Sequence, residues 1–385
     1  MGGLSTLRVI GVIMFGGITF LENINYVRIG GSAEEKKAAK YISDVMASLG
    51  AVSSIETFPV RTFTEGRATL EVLEPYQAVY EGFPVGFTGN HNFTANLIPR
   101  PSDVKSETDI QGQVILVTRR VNYDMYRHLH KQGAKGFIMV NPPGKKPQYT
   151  TASWEAVERF GEIAGLSLPY EAGRELVKRG ATKVHIKVEQ KSRKSESQNI
   201  IGEIPGKNPR EKMIVVCGHY DSVGTSPGMI DNAAGIAALL TLLEHFAKKP
   251  ARRTIRFIAF GSEELGLRGS RAYVEAHRQE LDNMSLVLNL DIAGDILGLN
   301  FAKVTGGKDI EEYLSAWAKI QGYQLKAEQS VYSSDNMPFC RMGIPAVSLG
   351  RGGLSGFYVH SAEDTIDNVD RASILQTAEI AERFL

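Results

Sequence analysis

Short apolar runs alternate with loops and helical patterns from residue 199 to the end of the chain. None of these runs alternates polar with apolar residues, which is typical of strands buried on both faces. The runs are NIIGEI (199–204), MIVVC (213–217), TIRFIAF (254–260), LVLNL (286–290) and IPAVSL (344–349). The pattern predicts an α/β fold with a mixed, mostly parallel sheet that helices cover on both faces.

The segment from residue 61 to residue 196 has a different texture. Its apolar pieces are short and β-rich, Gly, Pro and Asn separate them, and it holds one amphipathic helix pattern, YDMYRHLHKQG (123–133). We predict that this segment is a small β-rich domain inserted into a discontinuous larger domain formed by residues 1–60 and 197–385. The length of 385 residues agrees with more than one domain.

An apolar run near the N-terminus, VIGVIMFGGITFL (9–21), has the length of a signal-peptide core. It is short for a bilayer span, and it leads into a helix whose start carries the capping-box pair Ser32 and Glu35. We therefore predict a folded segment, rather than a signal or an anchor, and no stable membrane span. The compartment and the oligomeric state stay open.

Charge and cysteine content exclude two classes of protein. The formal net charge is +1, so no polyanionic partner such as nucleic acid is expected. Cys217 and Cys340 are the two cysteines of the chain, which rules out a disulfide framework but leaves one bridge between them open.

Polar side chains that can bind metals follow several of the apolar runs directly. In open α/β sheets, ligands bind beyond the carboxyl ends of the strands, so these side chains are expected to meet at one edge. Each of them alone has an ordinary explanation as a turn, a helix cap or a solvated residue. The candidates are His219, Asp221, Asp231, Glu263, Glu264, Asp291 and His360.

The joint pattern is harder to explain without a cation. Several carboxylates buried in one cleft would repel one another strongly unless positive charge lay among them. Two imidazoles with carboxylates and no thiolate make a nitrogen and oxygen site that suits zinc best. Because the ligands exceed one tetrahedral shell, two ions that share a carboxylate are the economical arrangement.

Five ordered motifs carry a resemblance to a known family. They are GHYDS (218–222), DNAAG (231–235), SEELGLRGS (262–270), NLDIAGD (289–295) and YVHSAEDTIDN (358–368). Together they resemble the co-catalytic di-zinc aminopeptidases of metallopeptidase family 28. The resemblance implies that a peptide with a free N-terminus is the substrate and that each chain binds two zinc ions.

The resemblance also implies a role for each candidate residue. By similarity, His219 and Asp291 would hold one zinc ion, Glu264 and His360 would hold the other, and Asp231 would bridge the two. Glu263 would be the general base. Asp221 would orient the His219 imidazole, a task that a metal-binding histidine requires on physical grounds as well.

The inserted segment has a likeness of its own. The runs DIQGQVILVTRR (109–120), HKQGAKGFIMVN (130–141) and LSLPYEAGRELVKRG (166–180) resemble a protease-associated domain. A lid or spacer is at least as good an interpretation of it as substrate recruitment. One departure from the family lies at Asn336, where many relatives have His, and it leaves the predicted metal ligands intact.

Three other functions remain open on the sequence. A zinc carboxypeptidase for acidic peptides would use basic side chains such as Arg341 and Arg351. A glutaminyl cyclase uses the same core with one zinc ion, but here both His219 and Asp231 are present. A non-catalytic, receptor-like binding module would be expected to have lost ligands, and none of the five predicted positions is lost.

Overall fold

The computed structural model describes residues 17–64, 66–99, 109–143, 150–331 and 333–385. These residues form an eight-stranded sheet and a closed seven-stranded barrel. The strands of the sheet are β1 (Val52–Phe63), β9 (Ser192–Ile204), β10 (Met213–His219), β11 (Ile255–Phe260), β12 (Met284–Leu290), β13 (Leu299–Thr305), β14 (Leu325–Gln329) and β15 (Ala346–Gly352). Its helices are α1 (Gly17–Ile24), α2 (Ala33–Ser48), α6 (Ala234–Lys248), α7 (Arg268–Ala276), α8 (Lys308–Gln321), α9 (Asn336–Arg341) and α10 (Arg371–Phe384).

The sheet has the order β1-β9-β11-β10-β12-β15-β13-β14. The four strands in its middle, from β11 to β15, pair in parallel. Strand β9 pairs antiparallel with β11 and with β1, β13 pairs antiparallel with β15, and the edge strand β14 pairs parallel with β13. Strands β10 and β15 are buried over nearly their whole length, as runs without polar alternation require. The predicted fold class, a mixed and mostly parallel sheet between helices, is confirmed.

Helices cover both faces of this sheet. On one face α1, α2, α6 and α10 pack into one large apolar cluster, to which they contribute side chains such as Phe20, Ile42, Leu239 and Ile374. On the other face α7 and α9 pack onto the sheet through Tyr273 and Phe339 and their neighbours. The fold therefore leaves the ends of the strands, rather than the faces of the sheet, available for chemistry.

The N-terminal apolar run falls only in part within the described residues. Helix α1 begins at Gly17, and its Phe20, Leu21 and Ile24 are buried in the core. Residues 9–16 of the run lie outside the described residues. Among the described helices, none combines the length and apolar character that crossing a bilayer requires.

Several elements were missing from the sequence prediction. Strand β14 lies at the edge of the sheet with β13 next to it, and β13 alternates between buried and more exposed residues, unlike the five apolar runs. The barrel has three helices rather than one, namely α3 (Tyr123–Lys131), α4 (Trp154–Phe160) and α5 (Tyr170–Lys178). Helix α4 spans seven residues, too few for a periodic pattern to stand out.

The barrel consists of β2 (Arg67–Glu74), β3 (Ala78–Pro84), β4 (His91–Ile98), β5 (Val114–Val117), β6 (Gly136–Val140), β7 (Ala164–Leu168) and β8 (Lys183–Glu189). A long antiparallel ribbon connects it to the sheet, because β1 and β9 pair from Val52 with Glu203 to Phe63 with Ser192. The predicted boundaries at residues 61 and 196 both lie inside this ribbon. Cys217 and Cys340 are free, so the open question of a bridge between them has a negative answer.

The barrel packs directly against the loops at the edge of the sheet. Val223 and Leu265, from loops after β10 and β11, are buried in the same apolar cluster as barrel residues. Beside them, Arg268 at the start of α7 places an Nη1 atom 2.5 Å from Glu155 Oε1, and its guanidinium lies 4.3 Å from the centre of the Trp154 ring. Packing and charge thus fix helix α4 of the barrel to the loops at the edge of the sheet.

We predict that Arg268→Met loosens the barrel without unfolding the sheet. The substitution removes an ion pair and a cation–π contact that together contribute about 1–2 kcal/mol. Local opening at α4 should therefore increase roughly five- to thirtyfold, as measured by hydrogen exchange of the α4 amides. Arg271→Met is the matched control, because Arg271 lies 3.7 Å from the same Glu155 oxygen and is more exposed. Equal exchange rates in the two variants would contradict this account.

Candidate metal centre

The order of the strands brings the predicted ligands to one point. Strand β10 ends at His219 in the middle of the sheet, and the neighbouring strands β11 and β12 end just before Glu263 and Asp291. His219 pairs in register with Phe260, the last residue of β11. Strand β10 has β11 on one side and β12 on the other, so the order of the strands reverses direction at β10. A crevice forms beyond the strand ends at such a point.

Asp231 occupies the centre of the cluster. It lies in the turn Met229–Ala233, which precedes α6, and it is 7% exposed. Its Oδ1 atom lies 3.1 Å from His219 Nε2, and its Oδ2 atom lies 3.1 Å from His360 Nε2. Each oxygen of one carboxylate therefore faces a different imidazole, which is the arrangement expected of a bridging ligand between two cations.

Two further carboxylates complete the group. Asp291 Oδ1 lies 3.6 Å from His219 Nε2, and Glu264 Oε1 lies 3.0 Å from His360 Nε2. Both oxygen atoms are buried, and among the described residues the facing imidazole is the one group within reach to donate to either of them. Within the described residues, His219, Asp231 and Glu264 form a group whose potential ligand atoms all lie within 4.8 Å of one another. Buried acceptors with no other donor, arranged around two imidazoles, fit a cation.

The electrostatics of the two histidines agree with that conclusion. Burial by itself lowers the pKa of His219, but Glu263, Asp221, Asp231 and Asp291 outweigh it and hold the pKa well above its usual range. The pKa of His360 is raised in the same way, against burial, chiefly by Glu264 and Asp231. The cluster attracts positive charge, so protons and metal ions compete for the imidazole nitrogens.

Asp221 links the first histidine to the next strand end. Its carboxylate is fully buried, lies 3.5 Å from His219 Nδ1, and accepts hydrogen bonds from the backbone N–H groups of Glu263 (2.9 Å) and Glu264 (3.1 Å). One side chain thus fixes the turn that carries both glutamates and faces the imidazole. Burial raises the pKa of Glu263 well above its usual range; Glu264 adds to this effect, while His219 opposes it.

The backbone is strained where the ligands are presented. Ser262, Ile292 and His360 have φ angles of 55°, 60° and 64°, in the left-handed region that non-glycine residues rarely adopt. Ile292 is β-branched, so its conformation is the least favourable of the three; it is held because its N–H donates to Asn232 Oδ1 and its carbonyl accepts from Arg351 N. Such strain is common at functional sites.

Three residues that support the site were missed by the sequence analysis. Asn232 accepts from Gly235 N and donates to the carbonyl of Leu290, so it ties the start of α6 to the end of β12. Asp364 accepts from the backbone N–H groups of Ile230 (2.6 Å) and Asp231 (3.1 Å). Asn232 lies in the motif DNAAG and Asp364 lies in the motif YVHSAEDTIDN, both of which support the family resemblance. Their place in these motifs could have identified them as residues of the site.

The third residue, Arg28, gave no signal in the sequence. Its side chain is completely buried, and its guanidinium donates to the backbone carbonyls of Ile24, Tyr26, Tyr220, Pro227 and Gly228. Burial lowers its pKa to about 10, which leaves it charged at neutral pH. Arg28 thus places a fixed positive charge behind the acidic cluster and holds both ends of the loop between β10 and the Asp231 turn.

We predict that Asp364→Ala weakens metal binding about 10- to 100-fold, the usual cost of losing a residue that orients a ligand. Without the Asp364 carboxylate, two backbone N–H groups lose their acceptor, and the turn that presents Asp231 is no longer fixed. Competition with a chromophoric zinc chelator measures the affinity directly. Asp367→Ala, an exposed change in the same loop, is the control. Unchanged affinity in the Asp364 variant would show that the turn is held by other contacts.

A cavity of about 230 Å³ opens onto this cluster. Glu264 and His360 form its wall on the side of the sheet, together with Ser222 and Val223. Barrel residues, among them Arg119, Arg120, Met139 and Asn141, form the opposite wall. The candidate metal centre therefore faces a small, two-sided space rather than open solvent.

Comparison with known proteins gives a consistent result. Residues 199–385 match the family described as peptidase family M28. The chain is 29% identical over 373 residues to aminopeptidase YwaD of Bacillus subtilis, covering 92% of this chain and 79% of that protein. It is 25% identical to an aminopeptidase of Pseudomonas aeruginosa, of which it spans 63%.

Solved structures share the fold over almost the whole chain. An aminopeptidase from Aneurinibacillus sp. strain AM-1 superposes with a TM-score of 0.78 at 25% identity, covering 96% of this chain and 92% of that one. BSAP, described as a zinc aminopeptidase from Bacillus subtilis, superposes with a TM-score of 0.76 at 25% identity, covering 97% of this chain and 95% of that one. With its candidate ligands at the strand ends and the match of residues 199–385 to peptidase family M28, the chain is a metallo-exopeptidase, a hydrolase.

Proposed function

We propose that the protein is a zinc-dependent aminopeptidase that hydrolyses the N-terminal peptide bond of peptides, with two zinc ions and a glutamate general base. The observation that carries this proposal is the Asp231 carboxylate, with one imidazole at 3.1 Å from each of its oxygens. BSAP, which shares the fold and 25% of the aligned residues, is a zinc aminopeptidase. The non-catalytic alternative disagrees with the enzyme class established above.

The five ligand residues divide naturally into two sets around Asp231. His219 and Asp291 lie on one side of it and would hold one ion, while His360 and Glu264 lie on the other side and would hold the second. When bound, zinc would polarise the scissile carbonyl and lower the pKa of the attacking water. Asp221, facing His219 Nδ1, would fix the orientation of that ring.

Glu263 is the residue that we propose moves the proton. Asp221 accepts hydrogen bonds from the backbone N–H groups of Glu263 and Glu264, so the turn that carries the Glu263 side chain is fixed. It is not one of the ligands, and it lies close enough to His219 for each to affect the pKa of the other. We propose that the Glu263 carboxylate accepts a proton from the attacking water and then donates it to the leaving amine.

The shape and charge of the cavity favour an exopeptidase. Its volume of about 230 Å³ is below the roughly 300–1,000 Å³ of ordinary ligand pockets, so it suits the end of a chain better than its middle. The carboxylates beside it complement a free α-ammonium group. We propose that the barrel, which resembles a protease-associated domain, forms the wall that limits the substrate.

The carboxypeptidase alternative loses its main support in this structure. Arg351, one of the two basic residues that it invoked, does not line the cavity at the metal centre. Its guanidinium donates to the Asp295 carbonyl, to Asn300 Oδ1 and to Gln376 Oε1. Arg341, the other, is an exposed residue at the end of α9 and is not part of that cavity either.

We predict that Glu263→Gln retains both zinc ions while kcat falls at least about 100-fold, because the amide cannot accept the proton of the attacking water. Hydrolysis of leucine anilide gives kcat, and elemental analysis gives the metal content. Glu162→Gln, a change in the barrel, is a control for the loss of one carboxylate. Near-normal turnover of the Glu263 variant would remove this residue from the role of base.

We also predict that acid and chelators inactivate the enzyme by the same route. Because surrounding carboxylates raise the pKa of His219 and His360, protons compete with zinc for these rings, and the competition grows as pH falls until zinc is displaced. Zinc content and activity should therefore decline together below about pH 6, and added zinc should move the midpoint to lower pH. A chelator should abolish activity, and zinc should restore it. Peptidase activity that persists in zinc-free protein would refute the proposal.

A further inference from the structure

The wall of the cavity that faces the metal centre carries two adjacent arginines, Arg119 and Arg120. They follow β5 directly, at the end of a completely buried strand, so the barrel fixes the backbone from which they project. Both are exposed, and both line the same cavity as Glu264 and His360. Arg120 Nη2 also donates to Thr151 Oγ1 at 3.2 Å, which ties the arginine loop to another segment of the cavity wall.

The charges around this cavity are divided by position. Glu264, which belongs to the metal centre, is the acidic residue of the described lining, and the two arginines are on the barrel side. Among the described residues, no carboxylate forms an ion pair with either guanidinium. Phe63, Met139 and Leu265 also line the space, and apolar walls make a charge-assisted hydrogen bond stronger than it would be in open water.

On the basis of the proposed aminopeptidase function, we propose that Arg119 and Arg120 form a carboxylate subsite that selects peptides with a negative charge close to the scissile bond. A guanidinium matches a carboxylate with two parallel hydrogen bonds, which a neutral amide cannot accept equally well. The free amine at the metal end and the carboxylate at the barrel end would hold a short substrate at both of its charges. The carboxylate can come from the C-terminus of a dipeptide or from an acidic side chain.

Paired substrates that differ only in that charge test the subsite. Leu-Gly against Leu-Gly-amide reports a C-terminal carboxylate. Leu-Glu-amide against Leu-Gln-amide, and Glu-Gly-amide against Gln-Gly-amide, report an acidic side chain. We expect the zinc-loaded enzyme to prefer the charged member of at least one pair by about tenfold or more in kcat/KM. The pair that shows the preference identifies the source of the carboxylate.

The variants then assign the preference to the arginines. Arg119→Gln combined with Arg120→Gln should bring that ratio to within about twofold of one, because the loss in kcat/KM falls mainly on the charged member of the pair. Arg120→Lys, which keeps the charge but not the fork, should keep part of the preference. Arg174→Gln, an exposed change on α5 of the same barrel, is the matched control and should leave every ratio as it is.

Binding gives a second readout that does not depend on turnover. In the Glu263→Gln background, calorimetry should show tighter binding of the charged member of the preferred pair, and the double arginine change should remove that difference. A wild-type enzyme without preference in any pair, or a double variant that retains it, overturns the subsite. If the zinc-loaded enzyme cleaves neither leucine anilide nor any of the peptides, the aminopeptidase proposal fails instead, so the two failures are distinguishable.

Discussion

Mutual repulsion among buried carboxylates is the constraint to which this fold responds. Asp221, Asp291, Asp335 and Asp364 are at most 6% exposed and lie around Asp231 at the ends of the central strands. Burial raises the pKa of Asp335 and of Asp364 to about 7, because a carboxylate removed from water is costly to charge. The protein lowers that cost in three ways: with backbone N–H donors, with two imidazoles, and with a site for metal ions.

The backbone donors explain why so much of the scaffold lies close to the chemistry. Asp221 and Asp364 each accept two backbone N–H groups, and each thereby fixes a turn that presents a candidate ligand. Glu35 extends the scaffold to α2, since it accepts from Gly31 N, Ser197 Oγ and Ser262 Oγ. Burial raises its pKa to about 8, and Asp221 adds to the effect. At the start of α2, the Ser32 hydroxyl accepts a hydrogen bond from Glu35 N, which is one half of the predicted capping box. The Glu35 side chain does not complete the box, because it binds Gly31, Ser197 and Ser262 instead.

The parts of the site that could be predicted from sequence share a simple geometry. His219 and Asp291 are found at strand ends because buried parallel strands give continuous apolar runs that stop abruptly at polar residues. Arg28 could not be found in this way, because three of the five backbone carbonyls that its guanidinium binds lie about 190 to 200 residues away, and such bonds impose no pattern on the sequence. Strands β13 and β14 were missed for a related reason, since a position at the edge of a sheet or next to it relaxes the demand for continuous apolar residues.

The antiparallel ribbon of β1 and β9 has a consequence for how the two parts of the protein can vary. The main chain leaves the sheet through β1 and returns through β9, and the ribbon holds these two points side by side. The residues beyond the ribbon can therefore be treated as one long loop with fixed ends. The entropic cost of closing such a loop rises only slowly with its length. Residues beyond the ribbon that do not pack against Val223, Leu265 or Arg268 can thus be lengthened, shortened or exchanged at little entropic cost to the strands that carry the candidate ligands. Under the proposed roles, changes in the barrel would alter substrate choice, while changes in the sheet would alter bond cleavage.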